Sequence, residues 1–210
     1  MINYDAFAKF NLLDSASLED VRRLTSNEIM FHDIQPNEVR TLDYCSSDEM
    51  KKAGEWSHAD FKYDINYYGF RMREVPHSVD IGVFGCSFTF GYGLPVSGLW
   101  HTLLGQTLNQ SVANFGINGL SATSAIDVFL IASNHIKIKK AIFLLPQFER
   151  YQITKTDVST GEINYLNIIP NHNSRLCNCY GVDSEQIYKA VPEEQMFRDV
   201  RNSLYIAEHI

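Results

Sequence analysis

The sequence predicts an α/β fold, a parallel sheet covered by helices, and three observations carry that expectation. Val79-Asp80-Ile81-Gly82-Val83-Phe84-Gly85 is a short apolar run ending in glycine, which suits a strand buried on both faces. Strand-like and helix-like segments then alternate at lengths that suit βαβ units. Pro146 closes the last strand of the series, because proline cannot continue a central ladder. At 210 residues the chain is long enough for one domain with a real core.

Taken in order, Ser17-Leu18-Glu19-Asp20 followed by Val21, Leu24, Ile29 and Met30 predicts an N-capped amphipathic helix. Residues 38–77 are rich in aromatics and broken by Gly54 and Gly69, a pattern of irregular structure with short strands. After the strand at 79–85, Trp100, Leu103, Leu104 and Leu108 recur at helical spacing. A second strand is expected at Val112 to Phe115, a second helix at Ala122 to Ile136 and a third strand at Ala141 to Leu145. Two β-rich runs between Tyr151 and Ile169 flank Ser159-Thr160-Gly161 and predict an inserted hairpin. Met196, Phe197, Val200, Leu204 and Ile206 give a final helix over 192–210. Lys137, Lys139 and Lys140 read as a solvated helix end interacting with its dipole.

The formal charge is -7, with both signs interspersed, which leaves no basic face for nucleic acid or an anionic membrane. The N-terminus has no basic and apolar leader pattern, and nothing approaches a membrane span, so a soluble, cytoplasmic chain is expected. Cys45, Cys86, Cys177 and Cys179 lack zinc-site spacing and read as free thiols. Neither G-x-G-x-x-G nor a phosphate-loop lysine is present, and no metal or organic cofactor is implied.

In an open parallel sheet, ligands bind where the carboxyl ends of the strands release their loops. The first loop is Gly85-Cys86-Ser87-Phe88-Thr89-Phe90-Gly91-Tyr92-Gly93. Its Ser87 falls at or near a helix N-terminus, where backbone N–H groups could stabilise an oxyanion. The second loop, Asn114 to Ser121, brings Gly119 toward the same point. Each residue also has a plainer reading: Ser87 as a helix N-cap, Gly119 as a turn glycine, Cys86 as a buried filler.

At Phe84 to Gly93 the chain resembles the SGNH (GDSL-like) hydrolase family, in the variant that reads GCSFTFGxG. Asn114-Phe115-Gly116-Ile117-Asn118-Gly119 is similar to that family's second block, and Asn66-Tyr67-Tyr68-Gly69-Phe70-Arg71 to a segment that often precedes its first strand. The resemblance covers roughly residues 64 to 150 and implies a flavodoxin-like three-layer α/β/α sandwich. It implies Ser87 as nucleophile and oxyanion N–H and Gly119 as a second oxyanion N–H; in place of the third-block asparagine stands Gln147 as an oxyanion side chain, or Arg150, or nothing at all. The family's aspartate is Cys86 here, and its C-terminal Asp-x-x-His has no counterpart after Ser87. Glu55-Trp56-Ser57-His58 and Glu74-Val75-Pro76-His77 have that spacing but lie upstream, and the catalytic histidine is unknown. The expected layout is an N-terminal extension over 1–76 and an SGNH-like domain over 77–210 that lacks its last strand and histidine loop. The expected activity is hydrolysis of a small acyl ester of a sugar, lipid or small alcohol through a Ser87 acyl-enzyme. A non-catalytic module on the same fold and a sugar O-acyltransferase are the alternatives.

Overall fold

In a computed structural model the chain is described at Leu18 and over residues 39–44, 61–147, 150–156, 163–168 and 193–207. Its centre is a three-stranded parallel sheet of β3 (Ser78–Gly85), β4 (Val112–Asn114) and β5 (Lys137–Leu144), in the order β4-β3-β5. The expected α/β architecture with a parallel sheet is therefore present. The first strand of the series lies in the middle, and Ile81 pairs with Val112 on one side and Lys140 on the other. That position explains its composition, because a strand flanked and covered on both faces has no polar side to offer.

From β3 the chain enters a one-turn helix, α1 (Ser87–Phe90), and then α2 (Trp100–Leu108) before β4. From β4 it passes through α3 (Ala122–His135) into β5. Every residue of α3 from Ala122 to Val128 is buried, the polar Thr123, Ser124 and Asp127 included. Aromatic rings bind the layers together. Phe84 stacks on Phe115 with centroids 5.0 Å apart, and meets Phe129 at 5.2 Å and Phe143 at 5.4 Å.

The lysines correct one expectation. Lys137, Lys139 and Lys140 belong to β5, which begins at Lys137 instead of Ala141, and the helix ends at His135. Their neighbours explain it: Ile136 and Ile138 alternate with Lys137 and Lys139 at period two, the period of a half-buried strand. Lys139 reaches across the sheet to Asp80 at 2.7 Å.

Two antiparallel pairs complete the described strands. β1 (Val39–Tyr44) pairs with β2 (Phe61–Asn66), inside the segment expected to be irregular with short strands. β6 (Tyr151–Thr156) pairs with β7 (Ile163–Ile168) as the expected hairpin, whose turn lies outside the described residues. The helix α4 (Glu193–Ala207) packs against α3, with Leu204 against the core. The N-terminal helix expected after Ser17 lies outside the described residues, apart from Leu18. No described helix is long and apolar enough to cross a membrane.

Candidate functional site

Parallel strands share one polarity, so the segments that leave β3, β4 and β5 all emerge at the same edge of the sheet. Ser87 follows β3 directly, residues 115–121 follow β4, and Gln147 follows β5. All three residues singled out in the sequence therefore share this edge.

The junction of β3 and α1 depends on Gly85. A methyl group there would overlap the Leu144 carbonyl oxygen and the Thr89 hydroxyl, so no other residue lets the chain turn here without displacing β5. Cys86 next to it is buried, a free thiol within the core. Ser87 opens α1 and is half-buried; its hydroxyl lies 3.9 Å from the Cys86 sulfur, a long, weak contact. Cys86 occupies the N-cap position, so the capping reading of Ser87 does not apply. Phe88, one residue on, is 74% exposed.

The second loop lies against the first. Ile117 N–H donates to the Gly85 carbonyl at 3.1 Å, and Asn114 accepts from Gly116 N–H at 2.9 Å through its side-chain oxygen. A methyl group on Gly116 would come within 2.7 Å of Thr89. Gly119 has φ 77°, the left-handed conformation that its turn-glycine reading requires. Asn118 is 9% exposed and its Oδ1 has no hydrogen-bond partner. Ser121 caps α3 by accepting from Ser124 N–H at 3.1 Å. Gln147 is exposed, and its carbonyl accepts from Arg150 N–H at 3.1 Å.

What the sequence did not reveal is the support beneath the glycine-rich loop. Arg71 is 5% exposed and donates to the carbonyls of Phe90 at 3.2 Å, Gly91 at 2.7 Å and Leu94 at 2.7 Å. Its guanidinium lies over the Tyr63 ring at 4.3 Å, and the Tyr63 hydroxyl accepts from Gly93 N–H at 2.7 Å. Burial pulls the Arg71 pKa down to about 10, partly offset by Tyr63. The segment Asn66 to Arg71 carried a signal in its likeness to a family motif. In the structure Asn66 folds that segment back by accepting from Tyr68 and Phe70 N–H, both at 3.1 Å.

Among the described residues no histidine hydrogen-bonds to Ser87. His77 precedes β3 and so stands at the opposite edge of the sheet. His135 ends α3 and is exposed. His101 is 5% exposed on α2; burial lowers its pKa to about 4, against a hydrogen bond with the Thr89 backbone that raises it and the Arg71 charge that lowers it further. His32, His58, His172 and His209 lie outside the described residues. Among the described residues no three His, Cys, Asp or Glu side chains form a group able to hold a metal ion.

No known family model matches the chain, and no solved structure matches it. It is similar to two polyamine aminopropyltransferases, from Neisseria meningitidis serogroup A strain Z2491 and serogroup B strain MC58. Each is 31% identical over 112 residues, spanning 49% of this chain and 41% of the relative. The chain thus covers less than half the length of these relatives.

These relatives overturn the expected function. They are named as transferases of an aminopropyl group, so the reading as an SGNH-type ester hydrolase, with its non-catalytic and sugar-acylating alternatives, is withdrawn. The geometry offers a physical reason for the correction. A serine hydroxyl attacks a carbonyl only when an adjacent base takes its proton, and the described contact of Ser87 is with a thiol.

Proposed function

We propose that the chain forms the α/β part of a group-transfer enzyme whose acceptor is a small amine of the polyamine kind. The similarity to two polyamine aminopropyltransferases supports this reading, and the gathering of three loops at one edge of the parallel sheet is compatible with it. Aminopropyl transfer joins an unprotonated amine nitrogen to the terminal carbon of an aminopropyl donor. The carbon's bond to its leaving group breaks as that N–C bond forms, and the new ammonium then loses a proton.

Such a reaction needs no serine nucleophile, because the amine is the nucleophile. The protein's task is to hold an otherwise charged acceptor and keep water away. Ser87 Oγ is an acceptor suited to an amine N–H group, with the Gly119 turn and Gln147 on the same edge. Phe88 and Tyr92, 74% and 53% exposed, give ring faces to ammonium groups. A formal charge of -7 favours the approach of a polycation. The likeness of residues 84–93 to the SGNH first block bears, in this proposal, on the shape of the loop and not on the reaction.

The test is binding of spermidine, followed on the full chain by saturation-transfer NMR. Binding weakened by about tenfold in Phe88→Ala and in Ser87→Ala, with the fold intact by circular dichroism, is the expected result. A chain that shows no saturation transfer to spermidine ends the proposal.

A further inference from the structure

A cleft of about 650 Å³ runs beside β4, lined by α2 and by residues of the 71–76 segment. All three residues of β4, Val112, Ala113 and Asn114, line it too. Side chains alternate between the two faces of a sheet, so what three consecutive residues share is the outer edge of the strand and not a face. The hydrogen bonds fix which groups that edge presents. Ile81 N–H donates to the Ser111 carbonyl at 3.0 Å and Phe115 N–H to the Val83 carbonyl at 2.9 Å, which turns residues 111, 113 and 115 toward β3. The backbone N–H and C=O of Val112 and of Asn114 therefore point away from β3, and among the described residues neither pair has a partner. Asn114 is 5% exposed whereas Val112 is half-buried, so of the two it is Val112 that offers an accessible donor beside an acceptor.

We propose that this cleft is a binding site for a small uncharged cyclic amide, whose N–H donates to the Val112 carbonyl and whose carbonyl accepts from the Val112 N–H. In a small ring the amide is cis, so its N–H and C=O lie side by side and match one residue of an extended edge. An open-chain secondary amide is trans and points them apart. One accessible pair suits such a ligand better than an added strand, which draws on pairs along several residues. Charge agrees with this choice. Arg71 and Glu74 bring one charge of each sign to the lining, and its other side chains are uncharged, His101 being neutral near pH 7 because burial lowers its pKa to about 4. The site lies along β4, apart from Ser87, and does not rest on the amine reading.

The cleft also touches the supports of the glycine-rich loop. Arg71, His101 and Asn114 line it, and the same side chains hold the backbone of residues 89–94: His101 at Thr89, Arg71 at Phe90, Gly91 and Leu94, and Asn114 Nδ2 at the Phe90 carbonyl at 3.4 Å. A ligand in the cleft keeps water from these bonds, and polar contacts strengthen when water is excluded. Occupancy thereby stiffens the loop.

The experiment is a titration of the full chain with δ-valerolactam, followed through the backbone amide signals of Val112 and Asn114. N-methyl-δ-valerolactam is the control, because it keeps the ring and the carbonyl but has no N–H. The lactam should shift Val112 saturably at millimolar concentrations, and the N-methyl compound should bind at least about tenfold more weakly. Val112→Pro removes an N–H that the fold leaves unused, so it should keep the circular dichroism of the parent and weaken the lactam by at least about tenfold, read at Asn114. Amide exchange at Gly91 and Gly93 should slow in the saturated parent. Absence of a saturable shift at Val112 overturns the proposal. So does an N-methyl compound that binds as tightly as the lactam, and that comparison decides even if Val112→Pro fails to fold. Unchanged exchange at Gly91 and Gly93 in the saturated chain overturns the link to the loop.

Discussion

At the scale of the residue, two glycines decide whether the two loops can meet. Gly85 and Gly116 occupy points where backbone runs against backbone, so a single methyl group has nowhere to go. Gly85→Ala would force the Leu144 carbonyl away from the β3 terminus, and Gly116→Ala would separate the second loop from Thr89. Each should cost about 3 kcal/mol in denaturant unfolding, the range of severe overpacking. Gly98→Ala is the control, because there the nearest atom is Pro95 Cγ at 3.8 Å. It should stay within about 0.5 kcal/mol of the parent. Equal losses at Gly98 and Gly116 would mean that close approach is not what selects glycine. Ser87 shows the limit of this scale. Its position at a strand-to-helix turn was readable from Gly-x-Ser, but what a hydroxyl does there depends on neighbours that no local pattern encodes.

At the scale of the element, legibility followed periodicity. The strand at 78–85 and the helix at 122–135 were readable because one is continuously apolar and the other carries an uninterrupted helical pattern. The start of β5 was not, since three lysines in four positions look alike whether they end a helix or guard a strand. The isoleucines between them held the discriminating period, over a window too short to outweigh the charges. Arg71 was harder still. Its partners lie 19 to 23 residues away, and no spacing rule reaches that far. Its role invites a direct test, because a lysine keeps the charge but cannot fork. Arg71→Lys should lose at least one of the three carbonyl contacts and about 2 kcal/mol of stability. Amide exchange at Gly91 to Gly93 should quicken by more than the global loss explains. Uniform quickening across the chain would instead make Arg71 a general packing residue.

At the scale of the whole molecule, the polarity of the sheet divides the labour between its two edges. The carboxyl edge gathers the loops, while the opposite half is tied by Asp80, which accepts from Ser111 Oγ and Lys139 Nζ, both at 2.7 Å. The two halves respond to acid in different windows. Asp80 is held well below the usual carboxylate range, first by the Lys139 hydrogen bond and then by Ser111. The stability it provides is present above the unfolded pKa of 3.8 and is lost only as pH falls below that value. His101 acts earlier. Its pKa is 6.5 in the unfolded chain and about 4 in the fold, chiefly through burial, so between those values the unfolded state binds a proton that the folded state refuses. Stability is therefore full above pH 6.5 and falls as pH drops toward 4, by at most about 3 kcal/mol. Denaturant unfolding at a series of pH values should show this slope in the parent and a flatter one in His101→Gln over the same window, while Asp80→Asn changes the response below it. A slope that survives in His101→Gln would place the acid sensitivity elsewhere and remove His101 as the group through which α2 and the glycine-rich loop respond to protons.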